Sequence, residues 1–184
     1  MSFSILAISG SLRAGSVNTE VLRAIQQLAT EEFIITQYAG LADLPHFNPD
    51  DETMEPVQSV AGWRELLQRA NAVLICSPEY AHGVPGVLKN ALDWVVGSGE
   101  FMYKPVSLIN ASSTSQFITP QLTETLTVMM ANVVPDACVT LSLAGKKRDA
   151  VSMCNDGKVA AEIRCALDAL ARVMISDTQP LSDR

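Results

Sequence analysis

At 184 residues, with 48% hydrophobic and 18% charged side chains, the chain has the length and composition of one folded domain around one substantial core, and disorder is excluded. Thirteen basic against twenty acidic residues leave a formal charge of −7, which argues against sequence-independent nucleic-acid binding and against anionic membranes as partners. No apolar run reaches membrane-spanning length, and residues 1–9 lack the basic segment and cleavage pattern of a signal peptide, so the expected location is the cytoplasm.

Short apolar runs alternate with segments of helical period, the pattern of strand–helix units around a mostly parallel sheet. The first strand is expected over residues 3–9 and the first helix over 17–29, with Val21, Leu22, Ile25 and Leu28 on one face. A second strand follows at 33–38. Residues 39–55, rich in Pro, Asp and Asn, form the main irregular connection. A helix over 57–70 leads into the strongest strand signal, Ala-Val-Leu-Ile-Cys at 72–76, and then into a loop over 77–86. A third helix carries Val87, Leu88, Ala91, Leu92 and Val95. A strand at 106–110, a hydroxyl-rich loop at 112–115, a helix over 120–132, a strand through 137–143 and a helix over 159–175 complete the series. Five strands without repeat or linker predict a single α/β domain, a flavodoxin-like three-layer sandwich with parallel order 2-1-3-4-5. In such sheets ligands sit beyond the carboxyl ends of the strands, where the order reverses between the first and third.

The first of those ends reads Ser9-Gly10-Ser11-Leu12-Arg13-Ala14-Gly15-Ser16-Val17-Asn18 and opens into a helix. Helix N-terminal amides, the donors Ser11, Ser16 and Asn18, and the fixed charge of Arg13 suit a phosphate. A plain turn with Ser16 as an ordinary helix cap accounts for the same residues. Neither the Gly-Lys-Ser/Thr of a P-loop nor the Gly-x-Gly-x-x-Gly dinucleotide fingerprint is present. After the central strand come Ser77-Pro78-Glu79-Tyr80-Ala81-His82-Gly83-Val84-Pro85-Gly86, then Leu88-Lys89-Asn90-Ala91-Leu92-Asp93-Trp94. Two prolines and two glycines stiffen a loop that enters a helix at Pro85 or Gly86.

Together the two loops resemble the NAD(P)H-dependent FMN reductases, which include quinone, azo-dye and chromate reductases of flavodoxin-like fold. The resemblance implies that Ser11, Arg13, Ser16 and Asn18 bind the FMN phosphate. It also implies that Pro78, Glu79, Tyr80 and Gly83 line the ring and ribityl chain, with His82 beside them and Ser112 and Ser113 donating to the ring. It implies NADPH or NADH as electron donor, a quinone or other small electrophile as acceptor, no catalytic side chain beyond the flavin, and a homodimer or homotetramer. A flavodoxin-type electron carrier and a flavin-free domain of the same fold are the alternatives. The chain departs from the family at Ala81, where Asn is common, and at Ser112 to Gln116, where relatives carry a glycine-rich stretch with an Arg nearby.

Other features carry two readings each. His82 tunes a ligand or is a solvated loop residue. Glu79 is an acid or base, or a hydrogen-bonding tie that holds its loop. Residues 43–50 are a loop near the site or a solvated turn. Lys146-Lys147-Arg148 meets a cofactor phosphate or is a solvated basic turn. Met102, Tyr103 and Trp94 form a subunit contact or core. Cys76, Cys138, Cys154 and Cys165 lack metal-site spacing and are expected to be reduced thiols.

Overall fold

The computed structural model describes residues 2–52 and 57–178; the end of the predicted 39–55 connection lies outside them. Three predicted strands form over the expected residues: β1 (Phe3–Ser9), β2 (Phe33–Tyr38) and β3 (Ala72–Cys76). Each is an apolar run bracketed by turn residues, and the five residues of β3 are all buried. β4 (Pro105–Asn110) is buried throughout as well. The strands are parallel in the order β2-β1-β3-β4-β5, as anticipated. Near-continuous burial of β3 and β4 is what a parallel sheet covered on both faces requires.

The sheet's last position departs from the continuous strand anticipated at 137–143. Two short pieces share the outer edge of β4: β5 (Asn132–Val133) pairs Pro105 and Val106, and β6 (Val139–Thr140) pairs Ile109 and Asn110. Between them Pro135, which has no N–H for a ladder, opens a 3-10 turn over Pro135–Ala137.

Helices α1 (Val17–Leu28), α5 (Ala150–Asn155) and α6 (Gly157–Thr178) cover one face, and α2 (Gln58–Arg69), α3 (Gly86–Asp93) and α4 (Ile118–Val128) the other. Strand alternation feeds the two cores. Ile5, Ala7, Ala72 and Leu74 face α1 and α6, whereas Leu6, Ile8, Val73 and Ile75 face α2 and α3. The predicted helix over 120–132 starts two residues earlier, with Pro120 tolerated in its first turn, and stops before Met130, whose φ of 57° is left-handed. The six-residue α5 was not anticipated. It is set by Asp149, whose side chain accepts from the Ser152 amide.

The long connection is pinned onto α3. Asn90 donates to the Pro45 carbonyl (2.9 Å) and accepts from the Phe47 amide (2.7 Å), while the Trp94 indole also donates to Pro45 (2.8 Å). These bonds make residues 43–47 a docked loop, with 3-10 turns at Gly40–Asp43 and Pro49–Asp51. Trp94 is therefore core, apart from Met102 and Tyr103, which are exposed.

Candidate active site

The carboxyl ends of β1 and β3 are tied by the Gly10 amide, which donates to the Cys76 carbonyl (2.9 Å). From there residues 10–16 lead into α1. Ser16 occupies the cap position, is buried, and makes no side-chain cap bond. The first bond of the helix is Glu20 N–H to the Ser16 carbonyl (3.1 Å), and among the described residues the amides of Val17, Asn18 and Thr19 have no acceptor. Buried Asn18 is oriented from below. Its Oδ1 accepts from the Cys76 thiol (3.3 Å), which turns its Nδ2 toward Ser16 Oγ (3.4 Å). Complete burial drives the Cys76 thiol's pKa far upward, so it stays a neutral donor. Arg13 is exposed and, among the described residues, its guanidinium has no partner; its amide donates to Ser11 Oγ (3.3 Å). Open helix amides with an unpaired cation nearby form a donor set for an anion, whereas an ordinary capped turn would have used Ser16 Oγ on the helix.

The loop after β3 closes on itself. Tyr80 and Gly83 exchange both backbone hydrogen bonds (3.1 and 2.9 Å), and the two residues between them, Ala81 (φ 50°) and His82 (φ 58°), are both left-handed. This is a type I′ pattern, for which Asn and Gly are the favoured residues, and each non-glycine residue costs about 1 kcal/mol there. The strain therefore falls on Ala81 and His82. Gly83 is not left-handed, and a Cβ on it would meet Gln121 Oε1 and the Tyr80 carbonyl at an ordinary 3.6 Å.

Three contacts dock this strained turn onto the start of α4. The Glu79 carboxylate accepts from the amides of Phe117 (2.7 Å) and Ile118 (3.0 Å), Gln121 Nε2 donates to the His82 carbonyl (2.6 Å), and the His82 ring stacks on Phe117 with centroids 4.3 Å apart. Glu79 is thus the tie between the third and fourth loops. His82 is exposed to solvent on one side but held on the other, and Tyr80 stands 53% exposed beside it.

The fourth loop, which lacks the family's glycines, is organised by Asn110. Its Nδ2 donates to the Ser115 carbonyl (2.9 Å) and its Oδ1 accepts from the Ser112 amide (3.0 Å), so one buried amide spans both ends of the turn. Between the first, third and fourth loops lies a cleft of about 180 Å³. Val17 and Asn18 line it from α1, Pro78 and Glu79 from the third loop, and Ser112 from the fourth.

Not every residue named from sequence meets there. Ser113 turns to a neighbouring hollow of about 410 Å³ with Ser142, Lys146 and Lys158, and Ser11 lines one of about 370 Å³ beside Tyr38 and Arg23. Arg13, Ser16, Tyr80, His82 and Gly83 do not line the cleft. Conversely, Ser77, Asn110 and Ser115 line it and were not singled out as site residues from sequence, and of the basic run 146–148, read as meeting a cofactor phosphate or as a solvated turn, Arg148 lines it. A polar residue closing the carboxyl end of a buried strand, as Asn110 does, was the available signal.

Residues 3–146, most of the chain, match the model of the NADPH-dependent FMN reductases. The chain belongs to that family. Its relatives include an NAD(P)H-dependent FMN reductase of Pseudomonas aeruginosa, 33% identical over 172 residues that cover 90% of this chain and 92% of that one. A quinone reductase of Pseudomonas putida is 34% identical over 113 residues, covering 60% of each. Among solved structures, the flavoenzyme NAD(P)H:(acceptor) oxidoreductase FerB of Paracoccus denitrificans superposes with a TM-score of 0.77 at 24% identity, over 95% of this chain and 98% of that one. An azoreductase of Bacillus anthracis does so at 0.56 and 14% identity, over 96% and 98%. These FMN reductase relatives place the chain in an oxidoreductase family that uses FMN with NAD(P)H, and the solved structures share its fold.

Proposed function

We propose that this FMN reductase family member binds FMN across the cleft at the β1/β3 switch point and reduces quinones or other small electrophiles with NADPH or NADH. The observation that carries this reading is the unsatisfied donor set of the first loop, beside a third loop held rigid by Glu79. Three open amides, Ser16 Oγ and the unpaired Arg13 match a phosphate dianion in charge and in donor type. The family's cofactor has that group. A cleft of about 180 Å³ is smaller than the roughly 300–1,000 Å³ typical of ligand pockets. It therefore encloses part of the group and leaves a face open.

When bound, FMN would supply the redox chemistry between NAD(P)H and the second substrate, the two using the site in turn in ping-pong fashion. The protein's part is to hold and orient. Arg13, Ser16 and Asn18 anchor the phosphate end. Pro78, Glu79, Tyr80, His82 and Gly83 present a stiff turn to the ring, and Ser112 offers its hydroxyl from the fourth loop. The fold accepts a Cβ at Gly83, so bulk there tests the approach of ligand rather than of protein. Assembly as a homodimer or homotetramer and a cytoplasmic location belong to the same reading. Exposed Tyr103 and Met130, joined by an amide-to-carbonyl bond of 2.8 Å, offer apolar surface for a subunit contact.

The test is a fluorescence titration with FMN followed by steady-state turnover with NADPH or NADH and a quinone. Micromolar or tighter FMN binding with quinone-dependent nucleotide consumption is expected. Binding without turnover would instead indicate a one-electron carrier, and no binding a flavin-free domain.

A further inference from the structure

Of three consecutive basic residues at 146–148, one is paired and another lines the cleft between the first, third and fourth loops. Lys146 pairs with Asp156 (2.7 Å). Lys147 lines a hollow over α5, beside Ser152 and Met153. Arg148 instead lines the cleft that holds Val17 and Asn18 at the start of α1. Among the described residues its guanidinium makes no ion pair or hydrogen bond. The adjacent carboxylate, Asp149, forms no ion pair with it and instead accepts from the amide (2.9 Å) and hydroxyl (2.8 Å) of Ser152.

The placement of Arg148 is built into the fold. Asp149 caps α5, and the next residue's amide, Ala150 N–H, donates to Glu20 Oε2 (3.0 Å) on α1. Glu20 thereby fastens the backbone beside Arg148 to the helix whose first amides are open. Residue 148 also lies just beyond the segment 3–146 that the family model matches.

We infer that Arg148 is a second phosphate-binding cation of the FMN site. This rests on the reading of the cleft as an FMN site. A guanidinium suits the role because its planar fork meets phosphate oxygens two at a time and keeps its charge at any physiological pH.

The experiment compares FMN with riboflavin, which lacks the phosphate, by fluorescence titration of the wild-type chain, Arg148→Ala and Arg148→Lys. Arg148→Ala is expected to weaken FMN binding about tenfold or more, to leave riboflavin binding unchanged, and to flatten the salt dependence of FMN affinity. Arg148→Lys should fall between, keeping charge but losing the fork. Equal losses for both flavins, or an unchanged FMN affinity, would overturn the assignment. Thermal melts of the apo chains check that this exposed substitution leaves the fold intact. A wild-type chain that binds no FMN would defeat the parent reading and this one together, whereas wild-type binding with an indifferent Arg148→Ala would defeat this one alone.

Discussion

Gly10 and Ser77 approach so closely that a Cβ on Gly10 would lie 2.1 Å from Ser77 Oγ and 2.7 Å from Ser77 Cβ. The contact joins the two loops of the site, and the neighbour is the root of a side chain rather than a flexible tip. Gly10→Ala is therefore expected to destabilise the fold by about 1–3 kcal/mol, the range for forced overpacking. Adding Ser77→Gly should recover part of that loss by removing the opposing Cβ. Urea midpoints of the single and double variants measure this, and an unchanged midpoint in Gly10→Ala would contradict the close approach.

Glu79 stands where two backbone amides at the start of α4 need an acceptor. Glu79→Ala leaves both without one, which is expected to cost about 1–2 kcal/mol and to loosen the Tyr80–Gly83 turn. Glu79→Gln keeps a carbonyl acceptor and should lose less of both. Chemical unfolding read alongside FMN titration separates the two effects. An alanine variant with wild-type stability and affinity would remove Glu79 as the tie.

Arg13 offers the opposite combination. Its guanidinium makes no ion pair or hydrogen bond among the described residues, so Arg13→Ala should leave the unfolding midpoint of the apo chain in place while weakening FMN binding by about an order of magnitude. A shifted midpoint with intact FMN affinity would make Arg13 a structural residue.

Tyr38 packs against Trp63 with ring centroids 4.5 Å apart. Burial first, and the charge of Asp43 second, push its phenol up from 10.0 to about 12. The fold thus favours the neutral phenol. Its contribution is whole below the unfolded-state value near 10 and is lost as pH rises through about 12. Tyr38→Phe should therefore flatten the fall in stability across that alkaline window, as measured by urea midpoints at stepped pH. An identical alkaline profile in the variant would show that Tyr38 carries none of it.

Local pattern was enough for β1, β2 and β3, because a short apolar run between turn residues has few other structures open to it in a chain of this composition. The count of strand–helix units favoured the observed order of the sheet, but periodicity alone did not fix it. The outer edge was less legible. A strand over 137–143 and a helix through Asn132 both read well by composition, but Pro135 and the left-handed Met130 divide that stretch into a helix end, two short pairings and a turn. At six residues, α5 is too short to show a helical period and rests on one capping side chain.

By itself the sequence determined the class of fold and the family, because these depend on contiguous residues with strong local preferences. Only the tertiary structure decided which of those residues meet. It made Glu79 a tie to α4, separated Ser113 and Ser11 from the cleft, and brought Asn110 and Arg148 to it. Each of those outcomes depends on contacts between segments far apart in the chain, set by how helices dock on a twisted sheet, and no local pattern encodes them.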